Sequence, residues 1–178
     1  MQNLLIALRK DIFPVGLILI LALARLIPHP PNFTPIIAVA IISGYFFKNL
    51  NFSLIILLIA MLISDLFIGF YENVFFVYAS LLLITFIFHK ISKKINFKNL
   101  FVFGFAGSLI FFIISNFGVW ILGSPGVNDI AYEKSFSGLI ECYILAIPFF
   151  GNTFLSTLIF AYPAIFVSKV LPAWSSSR

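Results

Sequence analysis

Long apolar runs separated by short polar breaks leave this chain little choice of solvent. The runs fall at residues 11–27, 33–47, 53–71, 74–89 and 100–122, and again from 136 to the C-terminal region. Hydrophobic residues make up 62% of the 178 and charged residues only 10%. A soluble domain carries about 25% charged residues and is about half apolar. A soluble fold of this length cannot hide so much apolar side chain, so lipid is the natural surroundings. An all-α integral membrane protein of one domain over residues 1–178 is expected. The 24 phenylalanines fit lipid-facing helix surfaces.

Charge placement sets the expected topology. The net charge of +5 could suggest nucleic-acid binding in a soluble protein. Here the cations cluster between apolar runs, which the positive-inside rule explains better. With six spans and an inner N-terminus, Arg9, Lys10, Lys48, Lys90, Lys93, Lys94, Lys98, Lys169 and Arg178 lie inside, and only Arg25 and Lys134 lie outside. A seventh span would send Lys169 and Arg178 outward and weaken that bias. Six spans are therefore expected, with both termini cytoplasmic.

The run at 136–150 is too short to span, since a crossing takes about 20 residues. It reads as an extra short helix on the outer face, broken at Pro148, with Asn152-Thr153 capping a last span that runs to about residue 171 and is ended by Pro172. Pro125, Gly126, Asn128 and Asp129 form the turn before it, and residues 175–178 form a frayed tail. The first run is expected to carry Pro14 in its first turn, where proline is tolerated. Ala22-Leu23-Ala24 superficially suits signal cleavage, but Arg25 directly after it and the resumed apolar pattern through Ile27 argue against removal.

Polar groups within spans are costly in a bilayer and are functional candidates by default. Arg25, Asp65, Asn116 and Glu141 all belong to the outer half. Asp65 lies about 9 Å inside the end of its run, at 1.5 Å per residue, and Asn116 lies at a similar depth. The inner halves hold hydroxyls such as Ser80, Thr85, Ser108, Ser156 and Thr157, which can bond back to their own helix. Four strong hydrogen-bonding groups at one level point to a polar chamber open to the outside. Trp120 shares a helix face with Asn116 and could stack a flat ligand, or belong to the interfacial aromatic belt. Tyr71, Tyr132 and Tyr143 carry the same two readings. Gly69 would leave backbone room beside Asp65.

The proline-stiffened stretch from Arg25 to Pro35 would cover that chamber, and His29 and Asn32 join the candidate substrate-binding residues. Stiffness lowers the entropy lost when such a cover closes. Arg25 and Asp65 could instead pair and lock two helices, and Glu141 is a rival partner for Arg25. His89, beside the cytoplasmic lysines, reads as an interface residue. Cys142 is the one cysteine and reads as buried and inert. No zinc-binding His-Glu-x-x-His, nucleophile elbow or phosphate loop occurs, so neither a catalytic residue, a metal nor a cofactor is expected. The competing readings are a small-molecule binding component, a membrane-embedded enzyme using Asp65, Glu141 or His29, and a scaffold whose chamber is filled by side chains.

Four stretches carry a resemblance. They are Arg25-Leu26-Ile27-Pro28-His29-Pro30-Pro31-Asn32-Phe33-Thr34-Pro35, Ser64-Asp65-Leu66-Phe67-Ile68-Gly69-Phe70, Ser115-Asn116-Phe117-Gly118-Val119-Trp120, and Pro148-Phe149-Phe150-Gly151-Asn152-Thr153. Together they look like an uncharacterised bacterial membrane family that is grouped with the substrate-binding (S) components of energy-coupling-factor vitamin transporters. The resemblance implies a six-helix bundle of S-component type, not an enzyme, that binds a vitamin or similar small molecule on its outer side. It also implies a gating loop between the first two helices, and a transmembrane coupling protein with ATPases as partners. The Ala-x-x-x-Ala coupling pattern of such proteins is absent, because Ala22 and Ala24 are two apart.

Overall fold

The computed structural model describes residues 2–91, 95–126 and 129–170, with side chains described between 12 and 167 of these. The charge assignments at Arg9, Lys10, Lys93, Lys94, Lys169 and Arg178, the turn residue Asn128, the terminator Pro172 and the tail 175–178 fall outside the described side chains.

Among the described residues all regular structure is helical. The helices are α1 (Gln2–Leu23), a 3-10 turn (Ala24–Leu26), α2 (Ile36–Phe46), α3 (Leu50–Ile68), α4 (Val74–Lys90), α5 (Leu100–Leu122), α6 (Phe136–Leu145) and α7 (Ile147–Val170). Three of them, α3, α5 and α7, are long and apolar enough to cross a membrane, and only 33% of each apolar window is buried inside the protein. The exterior is correspondingly apolar: Leu66, Phe67 and Phe75 are 71–72% exposed. Lipid suits such a surface, whereas water would not.

The architecture is organised around α2. All eleven of its residues are buried, and it packs against α1, α3, α4, α5 and α7. A helix that is apolar all round belongs in a core. Its closest approach is to α4. The Thr85 hydroxyl donates to the Ala40 carbonyl at 3.0 Å, and a Cβ on Gly44 would lie 2.5 Å from the Thr85 carbonyl oxygen. Only glycine lets the two backbones meet there. The phenylalanines do more than face lipid. Phe105 sets its ring edge-on to Phe150 and Phe154 at 5.5 Å, and Phe112 meets Phe150 at 5.4 Å, which zips α5 to α7.

Several expected boundaries move. The second helix is eleven residues long, about 16 Å at the α-helical rise, which is short of a bilayer core. The expected span 33–47 is therefore part non-helical segment, residues 33–35, and part helix. Pro14 sits in the interior of α1 instead of its first turn. The break between the last two helices falls at Ala146, and Pro148 stands in the first turn of α7, where its missing N–H costs nothing. Asn152 and Thr153 consequently lie inside α7 and cap nothing. Gly69 serves by its backbone: it closes α3 at φ +96°, its N–H bonded to the Asp65 carbonyl at 2.8 Å, while open space surrounds its α-carbon.

Candidate functional site

The site begins with the way α1 ends. A 3-10 turn at Ala24–Leu26 tightens the helix and turns Arg25 inward, where it is 9% exposed. Asp65, one turn before the end of α3, is fully buried. One guanidinium nitrogen of Arg25 lies 2.7 Å from Asp65 Oδ1 and donates to the Ser64 hydroxyl at 2.6 Å, with Met61 Sδ at 3.7 Å. The Tyr78 hydroxyl, one turn into α4, donates to Asp65 Oδ2 at 2.7 Å. Two opposite charges in apolar surroundings attract strongly, and their desolvation is offset only where further hydrogen bonds complete them. Here the completion is partial. Arg25 Nε has no hydrogen-bond partner, while Asp65 Oδ1 is met by the guanidinium at 2.7 Å.

Tyr71, in the loop between α3 and α4, lies in the field of both charges. Burial first, and Asp65 second, push its hydroxyl up to about 12, opposed by the charge of Arg25 and by a hydrogen bond to Arg25. The phenol is therefore neutral at physiological pH, and the cluster carries no net charge.

From Arg25 the chain continues as a strap, residues 27–35, which crosses from α3 to α7. Its backbone turns at Asn32, whose φ of 59° lies in the left-handed region that asparagine tolerates. The far end descends along α7 on three side-chain donors. Asn152 Nδ2 donates to the Pro31 carbonyl at 2.9 Å. The Ser156 hydroxyl lies 2.9 Å from both the Thr34 carbonyl and the Thr153 carbonyl of its own helix. The Thr153 hydroxyl lies 3.4 Å from the Asn32 carbonyl and 2.9 Å from that of Phe149, so each hydroxyl shares its one proton between strap and helix. These steps follow one face of α7 for about one turn, or about 6 Å. Since prolines 28, 30, 31 and 35 have no N–H to build a ladder of their own, side chains hold the strap by its carbonyls.

The other candidates disperse. His29 is exposed on the strap with its ring 2.9 Å from the Pro30 carbonyl. The Asn116 amide donates back to the Phe112 carbonyl of its own helix at 2.8 Å. Trp120 Nε1 donates to the Glu133 carbonyl at 2.9 Å, and Lys134 both donates to the Trp120 carbonyl and lies over its ring at 5.7 Å. Among the described residues neither Asn116 nor Trp120 hydrogen-bonds to Arg25 or Asp65. Glu141 is exposed on α6, and Asp65 is the partner of Arg25. Burial pushes the Cys142 thiol up, and the thiol donates to the Asn116 carbonyl at 3.4 Å. Tyr143 likewise donates to the Ile113 carbonyl at 2.8 Å, which ties α6 to α5.

Sequence reasoning missed Ser64, Tyr78 and the donors on α7. A hairpin of α3 and α4 puts Tyr78 opposite Asp65, so that pairing was readable in principle. The hydroxyls were expected to bond within their own helices. Ser80 and Thr157 do, to Val77 and Thr153, and Ser156 also reaches the Thr153 carbonyl of its own helix at 2.9 Å while lying as close to that of Thr34; Thr85 bonds to another helix. Among the described residues no three His, Cys, Asp or Glu side chains gather to hold a metal.

A model of a family of unknown function, DUF6580, matches residues 7–174. No curated protein and no solved structure matches the chain.

Proposed function

The chain belongs to the DUF6580 family, and on that premise we propose that it is a small-molecule binding and uptake component of a bacterial inner-membrane transporter. It would cross the membrane as a six-span bundle of S-component type and take a vitamin or vitamin-like solute from the outer side. One observation carries this reading: an ion pair, Arg25–Asp65, buried at one end of the bundle beside a strap that side chains of α7 hold down, with Arg25 Nε left without a hydrogen-bond partner. A purely structural lock would be expected to use its donors and acceptors fully, because each unmet group costs about 1–3 kcal/mol. The strap is closed in this conformation, and lifting it would give a solute access to Arg25 and Asp65. A coupling protein and ATPases would supply the energy for uptake.

The complete burial of Asp65 also suits a scaffold in which the pair fixes α1 to α3. Native mass spectrometry of protein released from mild detergent separates the two. Uptake function predicts a copurified small molecule that is lost when Arg25→Met and Asp65→Leu are combined. A wild-type protein that carries no small molecule, and gains none on incubation with a cell extract, would favour the scaffold.

A further inference from the structure

We infer that the free side of α6 seats a membrane phospholipid with a primary ammonium head, the ammonium on Glu141 and an acyl chain along Ile140, Ile144 and Ile147. The seat lies apart from the Arg25–Asp65 pair and does not depend on the solute reading of that pair.

Two observations lead there. The first is depth. Helix α6 runs down the flank of α5: Trp120 meets the Glu133 carbonyl just ahead of α6, the Cys142 thiol meets the Asn116 carbonyl, and the Tyr143 hydroxyl meets that of Ile113. Asn116 lies six residues before Leu122, the end of α5, which is about 9 Å at the helical rise. Phe117, Ile121 and Leu122 stay exposed above that level, so the apolar belt of α5 extends past it. Glu141, next to Cys142, therefore sits within the leaflet that surrounds this end of the bundle.

The second is what α6 leaves uncovered there. Gly138, Cys142 and Ala146, one turn apart, are buried and form the side turned to the protein. Ile140, Ile144 and Ile147 are exposed on the opposite side, and Ser137 and Glu141, also one turn apart, are exposed beside them. Among the described residues Glu141 has no hydrogen bond and no ion pair; Arg25 is taken by Asp65, and Lys134 is held at Trp120. A carboxylate facing hydrocarbon is costly until a cation meets it. Helical side chains lean toward the N-terminus of their helix, which for α6 is the membrane surface, so Glu141 leans toward the headgroups. Past Glu141 the sequence carries no charged residue before Lys169, and the exposed apolar surface continues through Ile144 and Ile147 to Leu155 of α7. Acid above and hydrocarbon below is the order of a phospholipid standing in its leaflet. A primary ammonium supplies both the charge and the N–H donors that a carboxylate accepts, a quaternary one supplies the charge alone, and an anionic head meets like charge.

Native mass spectrometry tests this on the full chain extracted from vesicles that hold dioleoyl phosphatidylethanolamine, phosphatidylcholine and phosphatidylglycerol in equal parts. The wild type is expected to retain the ethanolamine lipid in preference to the other two. Glu141→Gln keeps the size of an exposed side chain and is expected to lower that preference about tenfold, the scale of one hydrogen bond to a charged group. Glu133→Gln removes an equal charge ahead of α6 and is expected to leave the preference unchanged. A wild type that retains the three lipids equally would overturn the inference, as would an undiminished preference in Glu141→Gln. Equal losses in the two variants would overturn it too, because net charge would then be the cause. A second polypeptide held by the wild type and shed by Glu141→Gln would replace the lipid with a protein occupant.

Discussion

The two ends of the strap are fastened by different chemistry. At the α3 end a charge is held by a charge, inside the protein, with Arg25 and Asp65 almost shut off from solvent. At the α7 end neutral side chains do the holding, Asn152 on the Pro31 carbonyl and the shared hydroxyls of Ser156 and Thr153 beside those of Thr34 and Asn32, and Pro31 and Asn32 are exposed. Each neutral bond contributes about 1 kcal/mol net, while breaking a buried ion pair from one side costs about 3–5 kcal/mol. The difference teaches which end is the hinge. A strap that lifts would leave α7 first and pivot about Arg25.

The sharpest way to break this comparison is to cut the ionic end. Asp65→Ala leaves Arg25 buried without its partner and is expected to lower unfolding stability by about 3–5 kcal/mol, read by denaturant titration in mild detergent. Replacing both partners, Arg25→Met with Asp65→Leu, is expected to recover most of that loss, because an apolar pair of similar volume needs no hydrogen bonds. A double variant as unstable as the single one would deny the charge its role.

Tyr78→Phe comes next. It removes a hydrogen bond to a carboxylate and is expected to cost about 1.5–3 kcal/mol in the same titration. On the α7 side, Asn152→Ala and Ser156→Ala should each cost only about 0.5–1.5 kcal/mol. Their effect should instead appear as faster hydrogen exchange at the Phe33 amide, which bonds to the Pro30 carbonyl at 3.0 Å within the strap. Equal global destabilisation from the two ends would erase the distinction between hinge and latch.

The smallest effect concerns pH. Tyr71 has its folded pKa raised from 10.0 to about 12, so the folded state favours the neutral phenol. The associated stability is complete below pH 10 and is lost as the pH rises from about 10 toward 12. Ultraviolet titration should show Tyr71 among the late-ionising tyrosines, identified by the step lost in Tyr71→Phe, and the double replacement of Arg25 and Asp65 should shift that step by removing both charges near it.

Much of this was readable from residue order, for reasons that also explain the failures. Helix α5 has the bounds the apolar pattern gives, because Lys98 and Gly123 flank it with charge and a left-handed glycine at φ 71°. Arg25 and Asp65 were readable as a pair because a bilayer gives isolated charges nowhere to go. The start of α7 was not, since proline ends one helix or begins the next with equal ease. Asn152 and Thr153 have the composition of a cap, yet a helix interior can spend the same groups on a neighbouring carbonyl. Asn116 looked like a pocket amide because sequence cannot show an amide satisfied by its own preceding turn. Residues 33–35 continue the apolar run into α2, and only the tertiary bonds to α7 reveal them as strap.

The central claim is that the strap shields the ion pair and is released from α7. It is tested most directly by the alkylation rate of Ser64→Cys with a small membrane-impermeant thiol reagent, with and without Asn152→Ala, Thr153→Ala and Ser156→Ala together. Ser64 is fully buried beside Arg25, and Cys142, 1% exposed, serves as the internal control for folding. The account predicts that the introduced thiol is protected when the α7 donors are intact and reactive when they are removed, with Cys142 unreactive in both. An introduced thiol that stays equally protected after the donors are removed would contradict it, and the shield would then lie elsewhere in the bundle.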